Sequence, residues 1–342
     1  MKLLIVTQAV DTGDPVLGFF VGWITELSKH TERIEAICLK EGKHELPQNV
    51  RVHSLGKERG PASRAAYAWR FLRLAWQLRG NYDAAFVHMN QEYTLIAGWL
   101  WKLLGKRVYL WRNHYAGSWL TDVAAAFCTK VFCTSQYSYT AKYAKTVLMP
   151  VGVDTELFVP QGERQPHSIL FLARMAPSKR PDVLIEALGL LQKKGVTFTA
   201  SFYGSPGPGD EAYYADLKER VGELSLSSQV HFHEAVRNTE TPAIYAVHEV
   251  CVNLSSSGMF DKTIFEAAAC GSLSVSCNSN LEQLVDSRLW YQEGDVAELA
   301  AKLTWLLTAP EQEKAGLRTA LRKLAEDNSL AALGLRLSSE LA

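Results

Sequence analysis

Two α/β units in succession, each a parallel sheet with helices on its faces, are what this sequence predicts. Three observations carry that expectation. Short apolar runs of strand length alternate with amphipathic stretches of helix length along the chain. The rhythm breaks once, over residues 147–160, where two prolines and a glycine precede the polar run GERQPH, and then restarts. A length of 342 residues suits two domains better than one.

Taken in order, residues 3–7 read as a first buried strand, too short and too soon interrupted for a signal peptide. Further strands are expected at 35–39, 84–88, 108–112 and 131–134. Apolar periodicity places helices near 18–29, 63–79, 92–104 and 136–143. The second half restarts with a strand at 168–173. Pro181 suits the first turn of a helix running to about Lys194. Strands follow near 198–203, 230–233, 250–254 and 273–276, with helices between, and helical patterns close the chain at 310–326 and 330–341. The expected domains are 1–155 and 156–326, with residues 327–342 a helix packing back toward the first domain.

Hydrophobic residues make up 47% and charged residues 21%, enough apolar material for two cores. No apolar run is long enough to span a bilayer. Six cysteines show no CxxC and no zinc-finger spacing, so reduced thiols in a cytoplasmic protein are expected. The net charge of zero hides an asymmetry: residues 1–150 hold 19 Lys+Arg against 11 Asp+Glu, the rest 17 against 25. The basic half suits either an anionic acceptor or lipid surface, or simply the attraction between two domains.

The stretch from Ser255 to Gly271 is the most informative. A strand stops at three serines and Gly258, and a helix begins near Asp261 with Glu266 in its first turns. Such a junction offers free backbone N–H groups and a positive helix end to a phosphate, and a carboxylate to a diol. Arg174 directly follows a strand and Lys179 precedes a proline-started helix, so both cations fall at the carboxyl edge of the second sheet, where a diphosphate can be neutralised. Gly204 ends another strand in a glycine-rich turn that lets backbone approach a ligand. Neither G-x-G-x-x-G nor a Walker A sequence occurs, which disfavours NAD enzymes and P-loop NTPases.

These signals, with the linker PVGVDTELFVP, Val230–His–Phe232 followed by Tyr245, and the closing EAAACG, occur in an order that resembles the retaining glycosyltransferases of family 4 over about 170 residues. The resemblance implies the GT-B fold, two Rossmann-like doubly wound domains facing a central cleft. It implies transfer of a sugar, with retention, from a UDP- or GDP-sugar to a glycan, lipid-linked or small-molecule acceptor held by the first domain. Arg174 and Lys179 would hold the diphosphate, Glu266 the ribose hydroxyls, and backbone around Gly258, Met259, Phe260, Lys262 and Thr263 the phosphate or sugar. Glu234 and Val236 would lie against the base. The family's first glutamate is replaced by Gly258. Asp261 is either its substitute toward the donor sugar or only a helix cap, and Lys262 a third cation.

In the first half, His114 follows a strand and matches a histidine the family often places near the reacting sugar. Gly18 opens a helix after the loop of Asp11 and Asp14, which reads as solvated carboxylates; no metal and no cofactor is required. The 67–79 stretch mixes arginines with Trp69 and Trp76, and Trp99, Trp101 and Lys102 follow on a later helix. That mixture fits either peripheral contact with an anionic membrane or tryptophans in a domain core. Nucleic-acid binding is not expected. A GT-B epimerase or hydrolase, or a non-catalytic nucleotide-sugar-binding protein, stand as alternatives.

Overall fold

A computed structural model describes residues 1–14, 16–255, 257 and 260–342. The chain forms two compact units: Met1–Gly152 with Leu330–Ala342, and Val153–Ser329.

In the first unit the strands are β1 (Lys2–Val10), β2 (Arg33–Glu41), β3 (Val50–Ser54), β4 (Ala84–His88), β5 (Arg107–Trp111), β6 (Lys130–Cys133) and β7 (Thr146–Leu148). They lie parallel in the order β3-β2-β1-β4-β5-β6-β7. The unbroken run Leu3–Val6 is fully buried because a central parallel strand is covered on both faces. Leu3 and Ile5 join one core with Phe20, Trp23, Leu333 and Leu337; Leu4 and Val6 join the other with Phe71, Trp101 and Ala124. Helix α1 (Phe20–Ser28) covers the first face. Helices α2 (Arg64–Gln77), α3 (Gln91–Leu103) and α4 (Trp119–Phe127) cover the second.

Three expectations change here. β3 and β7 are edge strands, half-buried or exposed, and lack the apolar run that marks the central ones. Helix α4 is an added element of only nine residues; Ser118 N–H donates to Thr121 Oγ1 at 3.1 Å where it starts. Residues 136–143 form no α-helix but a single 3-10 turn, Tyr139–Lys142, whose Thr140 hydroxyl donates to the Arg112 carbonyl at 2.9 Å.

In the second unit the strands are β8 (Gln165–Leu172), β9 (Thr199–Tyr203), β10 (Val230–His233), β11 (His248–Asn253) and β12 (Leu273–Ser276), all parallel, in the order β10-β9-β8-β11-β12. Helices α5 (Pro181–Lys193), α6 (Glu211–Glu223), α7 (Thr241–Val247), α8 (Lys262–Ala269), α9 (Val296–Thr308) and α10 (Glu311–Asp327) flank the sheet, with α5 beside α9 and α8 beside α10. Pro181 is the first residue of α5, as its fixed φ favours. The last helix, α11 (Leu330–Leu341), returns to the first unit against α1. All six cysteines are buried and unpaired. No helix among the described residues is long and apolar enough to cross a membrane.

Candidate functional site

Strand order in the second sheet reverses between β8 and β11: β9 and β10 build outward on one side, β12 on the other. In open parallel sheets ligands bind beyond the carboxyl ends at such a reversal. The expected residues of this unit lie along that edge, with Glu234 after β10, Gly204 after β9, Arg174 after β8, and the turn into α8 after β11.

Gly204 has φ 148°, and a Cβ on it would stand 1.9 Å from the Ala173 carbonyl oxygen. The chains leaving β8 and β9 therefore touch backbone to backbone, and only glycine fits. Next to it, Ser205 Oγ donates to Glu234 Oε2 at 2.8 Å and accepts from the Ala235 N–H at 3.1 Å. This pins the loop that carries the half-buried Val236. Arg174 is exposed over the turn after Gly204, its Nη1 3.9 Å from where a Gly207 Cβ would stand. Its guanidinium makes no hydrogen bond or ion pair among the described residues.

Lys179 ends a 3-10 turn, Pro177–Lys179, and Arg180 then adopts a left-handed conformation, φ 53°, that swings the chain into α5. Lys179 Nζ donates to Asp261 Oδ2 at 2.6 Å and to Ser255 Oγ at 2.9 Å, and Ser255 Oγ donates to the same Asp261 oxygen at 2.8 Å. The two ionic side chains are 18% and 20% exposed. Burial by itself would raise the Asp261 pKa. The Lys179 charge, with hydrogen bonds from Lys179 and Ser255, outweighs it and holds the carboxyl at about 2. Asp261 stands at the start of α8, but its side chain makes no capping hydrogen bond.

One turn further, the buried Glu266 accepts from Tyr245 OH at 3.2 Å and from Asn238 Nδ2 at 3.5 Å. Burial raises its pKa, Lys262 pulls it back, and Asp261 adds to the rise. Lys262, first in α8, is lowered to about 8 by burial, opposed by Glu266 and Asp154. Asp154 belongs to the linker pattern, where its Oδ1 accepts from the Glu156 and Leu157 N–H groups, both at 3.1 Å. Phe158 of the same pattern packs 6.1 Å, centroid to centroid, from the Tyr245 ring. The linker motif thus braces the elements that hold Glu266.

Thr263 Oγ1 accepts from Asn253 Nδ2 at 2.8 Å. Phe260 is buried edge-on against Phe265 at 4.8 Å, which makes it an anchor for the turn. Gly258 and Met259 lie outside the described residues. Ser257 ties the turn to the chain after β12, its carbonyl accepting from Asn280 Nδ2 at 2.8 Å.

Two expected residues belong to the first unit. His114, half-buried after β5, accepts from the Ala116 N–H through Nδ1 at 2.9 Å and stacks on Tyr115 at 4.6 Å. Gly18 does not open α1, which begins at Phe20. Its N–H donates to the Asp14 carbonyl at 3.0 Å, and a Cβ there would stand 2.7 Å from that oxygen. The tight turn is what delays the helix. Asp14 Oδ1 accepts from the Val16 and Leu17 N–H groups at 3.0 and 2.9 Å, and Asp11 Oδ1 from those of Gly13 and Lys43 at 3.0 and 3.2 Å. Both carboxylates brace loops. Among the described residues no group of His, Cys, Asp or Glu could hold a metal ion.

Sequence reasoning did not single out Ser255, Asn238, Asp154 or Asn253 as site residues. Ser255 carried a signal, a small hydroxyl at the mouth of a buried strand; Asn238 carried none. Chemically, the edge gathers Arg174, Lys179 and Lys262 against Asp261 and Glu266, with the N-terminus of α8 adding partial positive charge. It suits a polyanion with a neighbouring diol.

Residues 166–309 match the sequence model of the family described as "Glycosyl transferases group 1". The GtfA component of a UDP-N-acetylglucosamine–peptide N-acetylglucosaminyltransferase from Streptococcus parasanguinis is 30% identical over 172 residues, 47% of this chain and 32% of that protein. The D-inositol 3-phosphate glycosyltransferase of Kineococcus radiotolerans is 27% identical over 147 residues, 39% of this chain and 34% of that one. The chain spans about a third of the length of these curated relatives. Among solved structures, HepE of Anabaena in complex with UDP-glucose superposes with a TM-score of 0.78 at 16% identity, over 100% of this chain and 99% of that one. Sucrose-phosphate synthase from Thermosynechococcus elongatus gives 0.78 at 17%, over 99% and 98%. These structures share the fold, and it is the GT-B fold expected from the motifs.

Proposed function

We propose that this chain, a member of the group 1 glycosyl transferases through its second unit, moves a sugar from a nucleoside-diphosphate donor to an acceptor hydroxyl. One observation carries the reading: Arg174, Lys179 and Glu266 gather at one sheet edge inside the very stretch, residues 166–309, that matches the family. The names of the relatives and the UDP in the HepE complexes favour a UDP-sugar as donor. Retention of anomeric configuration follows from the motif resemblance. A glycan or lipid-linked acceptor, reached from the cytoplasmic face of a membrane, suits the basic first unit.

In this reading Arg174, whose guanidinium is uncommitted, meets the diphosphate first. Lys179 is held in aim by Asp261 and Ser255, so little reorganisation is needed as charge builds on the departing phosphate. Asp261, with a pKa of about 2, donates no proton at neutral pH. It orients Lys179 and offers negative charge toward the sugar. Glu266 accepts from the ribose hydroxyls, which favours its ionised form against the pull of burial. Gly204 lets the donor approach the backbone, Glu234 and Val236 border the base, Phe260, Lys262 and Thr263 shape and charge the phosphate end, and His114 and Gly18 serve the acceptor side. Three cations and a helix end supply the positive charge, so no metal or cofactor enters.

The test is a thermal-shift series with UDP, GDP, ADP, TDP and their sugars, followed by measurement of UDP release with and without acceptors. Binding raises the melting temperature through mass action. If no nucleotide shifts it, the reading falls. Saturable UDP binding without turnover on any acceptor would leave a binding protein rather than an enzyme.

A further inference from the structure

A pocket of about 460 Å³ opens in the first unit between the turn after β3 and helix α2. Arg59, Arg70 and Arg73 line it, together with Gly56 and Gly60. Gly56 has φ 91°, and the space a Cβ would take there lies 3.3 Å from Arg70 Nη1 and 3.4 Å from Arg59 Nε. Two guanidiniums therefore converge on one glycine. Arg70 is held by the Leu55 carbonyl at 2.8 Å. Glu58 offsets Arg59 at 3.1 Å and also takes the Ser54 hydroxyl, but Arg70 and Arg73 have no carboxylate partner among the described residues. Planar guanidiniums without counter-charge at a concave wall suit a phosphate.

Helix α2 adds an apolar face beside the pocket. Only Phe71 and Ala75 of its side chains are fully buried. Trp69, Arg73 and Trp76 follow at helical spacing on its outer side, and the two tryptophans are 67% and 48% exposed. Arg79 lies over the Trp76 ring at 4.3 Å. The neighbouring helices of the same layer add Trp99, Leu103 and Trp119, all exposed. Four exposed tryptophans on one layer exceed the scattered apolar residues of an ordinary surface. Tryptophan interleaved with arginine is the chemistry of the bilayer interface, with the ring at headgroup depth and the cation on phosphate.

We propose that the outer face of α2 and α3 docks on an anionic lipid bilayer, with Trp69 and Trp76 entering the interface and a lipid phosphate seated among Arg59, Arg70 and Arg73. Charge complementarity selects the lipid: the pocket is cationic, and residues 1–150 hold 19 Lys+Arg against 11 Asp+Glu. The proposal is independent of the sugar-transfer reading and needs no turnover to test.

The experiment is co-sedimentation of the full chain with phosphatidylcholine vesicles, with and without phosphatidylglycerol, at low and high salt. The chain should sediment with the anionic vesicles, and less so as salt rises. Arg59→Ala with Arg73→Ala should lower partitioning about fivefold per arginine removed. Trp69→Ala with Trp76→Ala should lower it at both salt levels, while Lys323→Ala, a charge change on the second unit, should leave it unchanged. Melting curves confirm that the variants, all at exposed positions, remain folded. The proposal is overturned if wild type binds neutral and anionic vesicles alike, or if the arginine pair binds as wild type does. Retention on a polynucleotide or a protein partner without any sedimentation would overturn it as well.

Discussion

Replacing Lys179 with alanine leaves Asp261 half-buried without its counter-charge, the Ser255 hydroxyl still donating to it. In the wild type the Asp261 carboxyl is held at about 2 against an ordinary 3.8. That difference corresponds to about 2 kcal/mol of folding stability. Side chains a fifth exposed stand between surface pairs, worth at most about 1 kcal/mol, and buried pairs, whose breakage costs about 3–5 kcal/mol. Lys179→Ala should therefore destabilise the protein by about 2–3 kcal/mol at neutral pH. The sign with pH follows from the lowered pKa. The wild-type contribution is fully present above 3.8 and is lost as the pH falls through about 2. In the variant, burial raises the same carboxyl, so acid relieves it. Urea unfolding followed by circular dichroism from neutral pH downward should show the gap between the two proteins closing below about pH 4. UDP titration should show affinity reduced about tenfold or more, as for a lost charge-assisted hydrogen bond. A gap that stays constant with pH, or unaltered UDP affinity, would refute the assigned pairing or the assigned role.

Other outcomes follow from the same edge. Arg174→Ala should weaken UDP binding yet change stability by less than about 0.5 kcal/mol, because an exposed, unpaired side chain holds nothing in place; calorimetry and melting curves check the two halves. Gly204→Ala should destabilise by about 3 kcal/mol or more, since the new methyl would meet the Ala173 oxygen at 1.9 Å, and denaturant unfolding measures it. UDP affinity should fall as the pH drops below the raised Glu266 pKa, where the carboxyl protonates and stops accepting from a diol, and Glu266→Gln should flatten that profile. Tyr245→Phe should cost about 1–3 kcal/mol by leaving a buried carboxylate short of a donor, measured by urea unfolding.

Central strands were legible because burial on both faces demands an unbroken apolar run, as in Leu3–Val6. Edge strands β3 and β7 face no such demand and were invisible for that reason. Arg174, Lys179 and Glu266 could be singled out because each stands at a fixed offset from a strand end or a helix start. The pairing that unites the site could not. Lys179 meets Ser255 and Asp261 from 76 and 82 residues away, and no local pattern encodes that Asp261, read as a helix cap or a carboxylate toward the sugar, pairs with Lys179. The tryptophans of α2 were ambiguous for a related reason. A stripe of aromatics specifies a buried face and an interfacial face equally until exposure is known, and Trp69 lies outside while Trp101, on the next helix, is sealed in.

The return of α11 to the first unit has a consequence for assembly. Leu333, Leu337 and Leu341 complete a core that begins with Leu3 and Ile5, so that core stays unfinished on the ribosome until the whole second unit has been made. Two covalent passages, at Gly152–Val153 and Ser329–Leu330, then join the halves. A protease that nicks either passage leaves the other intact, so a single cut does not sever every covalent path between the halves.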